Sequence, residues 1–262
     1  MTSLNATDLN LQHLPTIVER GAELRLPVGK ALPFPQLSDA DKLDALLEWG
    51  CQSNAYFHLQ DGISHFGIKG LGFISFYRHE DLMGPVHVTF SRPVCAPENV
   101  ASLLDAYHDL VKVPTIFAGL DEQSAEDLCH RGYRINDIGS EYTLPAMSYE
   151  VAGKDKKWLR RVANMGKKGV VVKELQWADV DGDQVRDISN SWRSTKQIKN
   201  RELRLMTRPP VFGDEWGVRK FYAMRGDEVL GYLFCDPYLQ DGKVIGYTTN
   251  ITRSKPGVKP AG

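Results

Sequence analysis

Hydrophobic and polar positions along the chain change repeatedly between a helical and a strand-like spacing. The segment SDADKLDALLEWGCQ repeats apolar residues every three or four positions after Ser38, so it predicts a helix with Ser38 as its N-cap. Four short strand-like runs follow it: NAYFHL, ISHFGI, GFISFYR and PVHVTF. The pattern therefore predicts a helix that leads into a β-meander.

The next segments extend this first unit. APENVASLLDAYHDLVK predicts a second helix and PTIFAGL a strand. DEQSAEDLCHRGYR predicts a third helix that ends at Gly132, and EYTLPA predicts a further strand. Residues 1–150 are therefore expected to form one α/β unit.

The order of elements restarts at Val170. GVVVKEL predicts a strand, and DVDGDQVRDISNSWRST a helix with Val185, Ile188 and Trp192 on one side. RKFYAMRGDEVLGYLFCDPYLQDGKVIGYTTNITR predicts three strands, because it contains the turn-type sequences RGD and QDG. The predicted fold class is α/β (α+β), with a second unit over residues 170–262 and a connecting helix within 151–169.

Composition narrows the class of protein. The 262 residues are 42% hydrophobic and 10% aromatic, which is typical of an ordered globular chain with one large core or two modest ones. The net charge of −1 predicts that any attraction to anions comes from a local patch. Four scattered cysteines predict reduced thiols, and the chain shows no signal peptide or long apolar segment, so a cytoplasmic location is expected.

One such patch is KKWLRRVANMGKKG, residues 156–169, which holds six cations and no acid. Helical spacing predicts a cationic face and an opposite apolar side of Trp158, Leu159, Val162 and Met165 that can dock on a core. A solvated connecting helix is one interpretation. A second basic segment, SWRSTKQIKNRELRLMTR, favours a site for a polyanion such as RNA if the two converge. The candidate phosphate-contacting residues are Lys157, Arg160, Arg161, Lys167 and Lys168.

Several short motifs resemble the soluble C-terminal part of phosphatidylglycerol lysyltransferases and their stand-alone relatives. The first group runs through the middle of the chain: Gly132-Tyr133, Ile138-Gly139-Ser140-Glu141, Gly153-Lys154, Leu159-Arg160, Asn164 and Lys168-Gly169. The second group is Ile188-Ser189, Trp192 and Arg201-Glu202. The resemblance covers about Leu59 to Gly262 and is more specific after Gly132.

The resemblance implies two GNAT-like acyltransferase units in tandem, joined by the basic helix. It also implies an aminoacyltransferase that takes an aminoacyl group from charged tRNA and places it on a lipid hydroxyl. The basic helix would then lie near the tRNA. No cofactor is implied, and a location peripheral to the inner face of the membrane would suit a lipid acceptor.

The end of the chain departs from the family pattern. Where lysyltransferases carry Asp-x-x-Arg, this chain has Asn250-Ile251-Thr252-Arg253, and an amide cannot accept a proton or pair ionically with a cationic aminoacyl group. The sequence ends soon afterwards, so we expect the second unit to be truncated and the chain to be a fragment. A peptide or small amine is as compatible an acceptor as a lipid head group.

The segment RSKPGVKPAG allows acyl-CoA as an alternative donor. CoA-dependent acyltransferases place a glycine-rich pyrophosphate loop after the same strand, but Pro256 and Pro260 remove backbone donors here. The candidate catalytic residues are Glu202 as a proton acceptor, Asn250 for positioning and Arg253 as a partner for an anion or oxyanion.

Two alternatives to this assignment stay open. Glu202 is equally compatible with a surface salt bridge to Arg201 or Arg204. The whole chain could also be a catalytically degenerate RNA-binding module. No histidine spacing predicts a metal site.

Overall fold

The computed structural model describes residues 37–82, 84–164, 169–195 and 207–258. Within them the helices are α1 (Asp39–Trp49), α2 (Val100–Val111), α3 (Glu122–Cys129), α4 (Lys157–Ala163) and α5 (Gly182–Ser194). The strands are β1 (Ser64–Ile68), β2 (Gly72–Asp81), β3 (Gly84–Phe90), β4 (Val94–Cys95), β5 (Thr115–Ala118), β6 (Val171–Glu174), β7 (Arg219–Arg225), β8 (Glu228–Gln240) and β9 (Lys243–Ser254). None of the helices described is long and apolar enough to cross a bilayer.

The strands form two sheets, which confirms the mixed α/β fold class. In the first sheet the order is β1-β2-β3-β5, with β4 paired to β2. Strands β3 and β5 run parallel, and the other pairs of this sheet are antiparallel. In the second sheet the order is β6-β7-β8-β9. The tandem GNAT-like arrangement stays a prediction.

The chain divides into two compact units that interleave along the sequence. The first takes the described residues up to Tyr133, together with 207–209 and Pro237–Thr248. The second takes the described residues of Arg134–Glu202, together with Pro210–Asp236 and those from Thr249 to 258. The far end of the β8–β9 hairpin therefore belongs to the first unit.

The first unit has two apolar clusters. Helix α2 packs Leu103, Leu104 and Tyr107 against the β1–β2 hairpin. The second cluster joins α1 to the sheet through Leu46 and also contains Leu239 from the far end of β8. Burying one side chain of this size stabilises the folded state by about 1.5–3 kcal/mol, so both clusters contribute to folding.

In the second unit, α5 covers one face of the sheet. Val185 and Ile188 of this helix pack against side chains of the three longer strands: Tyr222, Met224, Val229, Tyr232, Phe234 and Ile251. Asp181 caps the helix, because its carboxylate accepts hydrogen bonds from the backbone N–H groups of Asp183 (3.1 Å) and Gln184 (3.3 Å). The predicted apolar side of this helix is confirmed.

Several other sequence predictions are confirmed. Ser38 caps α1 in a reciprocal capping box with Asp41. The three predicted strands of the second unit are β7, β8 and β9. The QDG turn has positive φ at Asp241 (50°) and Gly242 (72°), as a two-residue hairpin loop of right-handed twist requires.

Two predicted strands are wrong. NAYFHL forms a 3₁₀-helix over Ala55–Leu59 in which four successive residues are buried, so its apolar residues do not alternate between two faces. EYTLPA lies in an irregular segment in which every residue from 141 to 146 is exposed. No neighbouring strand takes up the backbone hydrogen bonds of that segment within the described residues.

Candidate functional site

Three charged residues are buried on the face of the second sheet that α5 covers. Lys220 lies on β7, Asp236 on β8 and Arg253 on β9, and their relative exposures are 4%, 0% and 3%. Each is two positions from an apolar residue of the α5-facing core on its own strand, so alternation places all three on that face. Buried charges are costly unless they are paired or hydrogen-bonded, so each of these three residues requires a structural or functional explanation.

Lys220 has a structural explanation. Its Nζ donates to the backbone oxygens of Val211 (2.7 Å) and Gly213, and it lies 3.5 Å from Oε2 of Glu215. The same ammonium lies 4.6 Å from the ring centroid of Phe234. Lys220 therefore holds the loop 211–215 against the sheet.

Arg253 is enclosed by two residues of α5. Its Nη1 donates to Oγ of Ser189, and its Cζ lies 4.5 Å from the ring centroid of Trp192. Ile188, next to Ser189, belongs to the apolar core. The Ile-Ser-x-x-Trp motif therefore has a structural role. Ile188 anchors α5 in the core, and Ser189 and Trp192 hold the guanidinium of Arg253.

The other two candidate catalytic residues are less well defined. Asn250 lies on β9, three positions before Arg253, and is half-buried. Glu202 lies outside the described residues. The catalytic roles of Glu202, Asn250 and Arg253 stay predictions.

The basic helix is present as α4, over Lys157–Ala163. Asn164 follows as its C-cap, and its side chain donates to the backbone oxygen of Arg160 at 2.7 Å. The candidates Lys167 and Lys168 lie outside the described residues. The predicted helix is therefore present, and the structure describes three of the five residues predicted to contact phosphate.

These three cations have different environments. Arg160 is half-buried and donates through Nη1 to the backbone oxygens of Val151 (3.0 Å) and Gly153. Lys157 and Arg161 are exposed. Arg160 therefore secures the preceding segment to α4, and Lys157 and Arg161 are the described cations that face solvent on this helix.

The predicted docking of the apolar side of α4 on a core is wrong. No residue of the helix is buried, and Trp158 is 59% exposed. Polar contacts hold the helix instead: besides Arg160, Lys156 donates to the backbone oxygen of Glu150 at 2.6 Å and lies over the ring of Tyr149. Of the apolar side, Trp158 and Val162 are exposed, Leu159 is half-buried, and Met165 lies outside the described residues.

Of the second basic segment, the two cations that the structure describes, Arg193 and Arg208, are not exposed. Arg208 is buried in the first unit, 5.3 Å from the ring centroid of Tyr56, so it is not presented to a ligand. Arg193 is half-buried and donates to Oδ1 of Asn190 at 2.5 Å. The cations of residues 196–206 lie outside the described part of the chain.

The loop after β9 has few free backbone donors. The N–H of Lys255 donates to the backbone oxygen of Leu230 (2.8 Å), and the N–H of Val258 donates to the backbone oxygen of Lys255 (3.2 Å). Pro256 has no N–H, so of residues 255–258 only Gly257 can offer one to a ligand. A pyrophosphate cradle needs several convergent N–H groups, and this described stretch does not supply them.

The two buried thiols, Cys95 and Cys235, are not suited to act as nucleophiles. All four cysteines lie in the described residues and none is in a disulfide. Burial raises the pKa of Cys95 to about 12, and burial, followed by the charge of Asp236, raises that of Cys235 to about 11. No group of three or more His, Cys, Asp or Glu residues in the described chain is placed to hold a metal ion.

Sequence reasoning found Arg253 but missed Lys220, Asp236 and the role of Ser189. A signal for Asp236 was present, since it interrupts an otherwise apolar run, whereas Lys220 stands beside Arg219 in a strand that also ends on an arginine. Their side chains could equally have faced solvent, because the strand pattern alone does not say which face is covered.

The chain has two sheets in a mixed α/β fold and a buried arginine that Ser189 and Trp192 hold. The family model described as phosphatidylglycerol lysyltransferase, C-terminal, matches residues 44–262. The chain belongs to this family. No curated protein matches it significantly.

Two solved structures have the same fold. The C-terminal domain of a putative lysylphosphatidylglycerol synthetase from Agrobacterium fabrum is 12% identical, with a TM-score of 0.67 over 85% of this chain and 71% of that one. L-PGS from Bacillus licheniformis is 13% identical, with a TM-score of 0.69 over 88% of this chain and 70% of that one. At these identities the likeness shows the fold.

Proposed function

We propose that this protein is an acyltransferase that moves an aminoacyl group from a charged tRNA to the hydroxyl of a lipid head group such as that of phosphatidylglycerol. Family membership over residues 44–262 supports the class of reaction. The reaction would take place at the cytoplasmic face of a membrane, where charged tRNA and lipid head groups meet. A peptide or small amine is an alternative acceptor.

The chemistry is a transesterification and needs no redox or phosphoryl cofactor. The acceptor oxygen attacks the carbonyl carbon of the aminoacyl ester, a new C–O bond forms, and the bond to the ribose oxygen breaks. The proton of the acceptor hydroxyl passes to the departing ribose oxygen. Such a site needs a proton acceptor and groups that stabilise the developing oxyanion.

The observation that carries the proposal is the fixed position of Arg253. Ser189 and Trp192 hold its guanidinium, and burial lowers the dielectric around it. A cation held in this way interacts strongly with negative charge that develops nearby, without reorganising during the reaction. Glu202 as proton acceptor and Asn250 as a positioning residue complete the proposed set.

Charged tRNA is preferred over acyl-CoA as the donor for two reasons. The loop that would hold the pyrophosphate of CoA has at most one free N–H among residues 255–258. The exposed cations Lys157 and Arg161 instead offer side-chain contacts to phosphates spread along a nucleic acid.

The test supplies the purified full chain with a mixture of labelled aminoacyl-tRNAs and vesicles that contain phosphatidylglycerol. We expect label in the lipid extract together with release of deacylated tRNA. Parallel reactions contain acetyl-CoA or longer acyl-CoAs, in which free thiol is followed. Thiol release without tRNA deacylation would reverse the choice of donor.

Two controls define the other outcomes. Vesicles of neutral lipid without hydroxyl head groups should receive no label, and a peptide or amine mixture in their place tests the alternative acceptors. If no acceptor takes label and no thiol appears, the protein is a binding module and the proposal of catalysis is wrong.

A further inference from the structure

The solvent-facing side of α4 combines one aromatic ring with two cations. Lys157 and Arg161 are four positions apart, as are Trp158 and Val162, so these two pairs form neighbouring rows on the helix surface. All four side chains are exposed, and Trp158 is 59% exposed. A tryptophan with this much exposed surface, beside a row of cations, can contact a ligand without any rearrangement of the helix.

The opposite side of the helix is occupied by internal contacts. Lys156 donates to the backbone oxygen of Glu150, and Arg160 donates to the backbone oxygens of Val151 and Gly153. These bonds tie α4 to residues 149–153 and fix which side it presents. The helix therefore presents Lys157, Trp158 and Arg161 to solvent in a fixed orientation.

We propose that Trp158 is a stacking platform for an unpaired base of RNA, with Lys157 and Arg161 contacting the flanking phosphates. Stacking on an aromatic ring is worth about 1–3 kcal/mol per base, and neighbouring cations add phosphate contacts. Bases inside a duplex are already stacked on one another and cannot present a face to the indole. The inference rests on the RNA donor of the proposed function and specifies which part of that RNA meets α4.

An anionic bilayer is the competing partner for this surface. An interfacial helix carries a wide apolar face with its cations on the polar side. In α4 the exposed apolar residues are Trp158 and Val162, and they lie beside the cations. A single nucleotide needs only α4, so RNA is favoured.

The experiment measures binding of the full chain to two uncharged RNA hairpins by fluorescence anisotropy. One hairpin ends in a single-stranded 3′ overhang and the other is blunt, with the same duplex. Trp158→Leu keeps an apolar side chain but removes the aromatic face, so we expect it to bind the overhang hairpin about 5- to 100-fold more weakly. The blunt hairpin should bind with the same affinity as before, and Trp158→Phe should retain most of the preference for the overhang.

A matched control is Tyr142→Leu, which removes another exposed aromatic ring from the same unit and should change neither affinity. Equal weakening for both hairpins, or none, would overturn the platform. Vesicles of phosphatidylglycerol are a further probe: if Trp158→Leu weakens vesicle binding and leaves overhang binding intact, the surface binds membrane instead.

Failure of the platform and failure of the proposed function are distinguishable, because these hairpins carry no amino acid. If transfer from charged tRNA succeeds and Trp158→Leu binds the overhang normally, only the platform is wrong. If the overhang preference depends on Trp158 and no transfer occurs, the protein recognises RNA without the proposed chemistry.

Discussion

The guanidinium of Arg253 lies over the indole ring of Trp192, with its Cζ 4.5 Å from the ring centroid. This contact, with the hydrogen bond to Ser189, joins the last strand of the second sheet to the helix that covers it. A buried cation is tolerated here because a ring face and a hydroxyl replace part of its hydration. Any change to either partner should therefore affect both stability and the orientation of Arg253.

The first prediction concerns Ser189. Replacing it with alanine leaves a buried guanidinium N–H without that acceptor, so Ser189→Ala should lower the free energy of unfolding by about 1–3 kcal/mol. Urea denaturation measures this change. Ser194→Ala is the matched control, since Ser194 is exposed on the same helix, and it should change stability by about 0.5 kcal/mol or less. Equal effects of the two variants would contradict a structural role for the Ser189–Arg253 bond.

The second prediction concerns Lys220. Lys220→Met keeps a long apolar stem but leaves two backbone oxygens and the carboxylate of Glu215 without their cation, so it should destabilise the protein by about 3–5 kcal/mol. The loop 211–215 should become sensitive to limited proteolysis. Lys173→Met, at an exposed position of β6, should leave both properties unchanged.

The third prediction concerns acid. Burial lowers the pKa of His58 to about 3 and those of His65 and His87 to about 4, whereas an unfolded histidine titrates near 6.5. Between these values the unfolded state binds more protons, so stability should be complete above about pH 6.5 and fall as the pH is lowered towards 4. At pH 5 each of these histidines should lower the free energy of unfolding by about 1–2 kcal/mol relative to pH 7.

Melting temperatures measured across this pH range test the titration of the three histidines. In His87→Gln the fall between pH 7 and pH 5 should be smaller, because one buried group no longer titrates. His130→Gln should show the wild-type fall, since His130 is exposed. A pH profile that His87→Gln leaves unchanged would show that the buried imidazole is not responsible.

The fourth prediction separates the cations of α4. Lys157→Ala and Arg161→Ala should each reduce the slope of log affinity for RNA against log salt by about 0.7–0.9. Arg160→Ala should instead increase amide hydrogen exchange over residues 149–163, because it removes the bonds to Val151 and Gly153. If Arg160→Ala changes the salt slope without affecting exchange, Arg160 contacts phosphate directly.

Most of the elements could be predicted from the sequence, because local patterns specify them. Ser38 identified the start of α1, and Val185 with Ile188 identified the buried side of α5. The QDG turn identified the β8–β9 hairpin, because Asp and Gly accept positive φ. Each of these signals acts within a few residues of where it is read.

The errors arose where distant parts of the chain decide the structure. Alternation in EYTLPA could not show whether a strand lies beside it, and the apolar spacing of α4 could not show whether a core lies beneath Trp158. The partners of Lys220 and Arg253 likewise come from other elements of the unit. Side-chain type predicted charge at these positions, and only the fold shows what that charge contacts.

The far end of the β8–β9 hairpin has a consequence for how the chain is made. Leu239 and Val244 complete the cluster around Leu46, Phe73 and Val94, although they are synthesised much later. During translation the early part of the chain would leave the ribosome with this cluster unfilled. A polypeptide that stops at residue 150 would lack part of its own core, so we expect it to expose apolar surface and to aggregate.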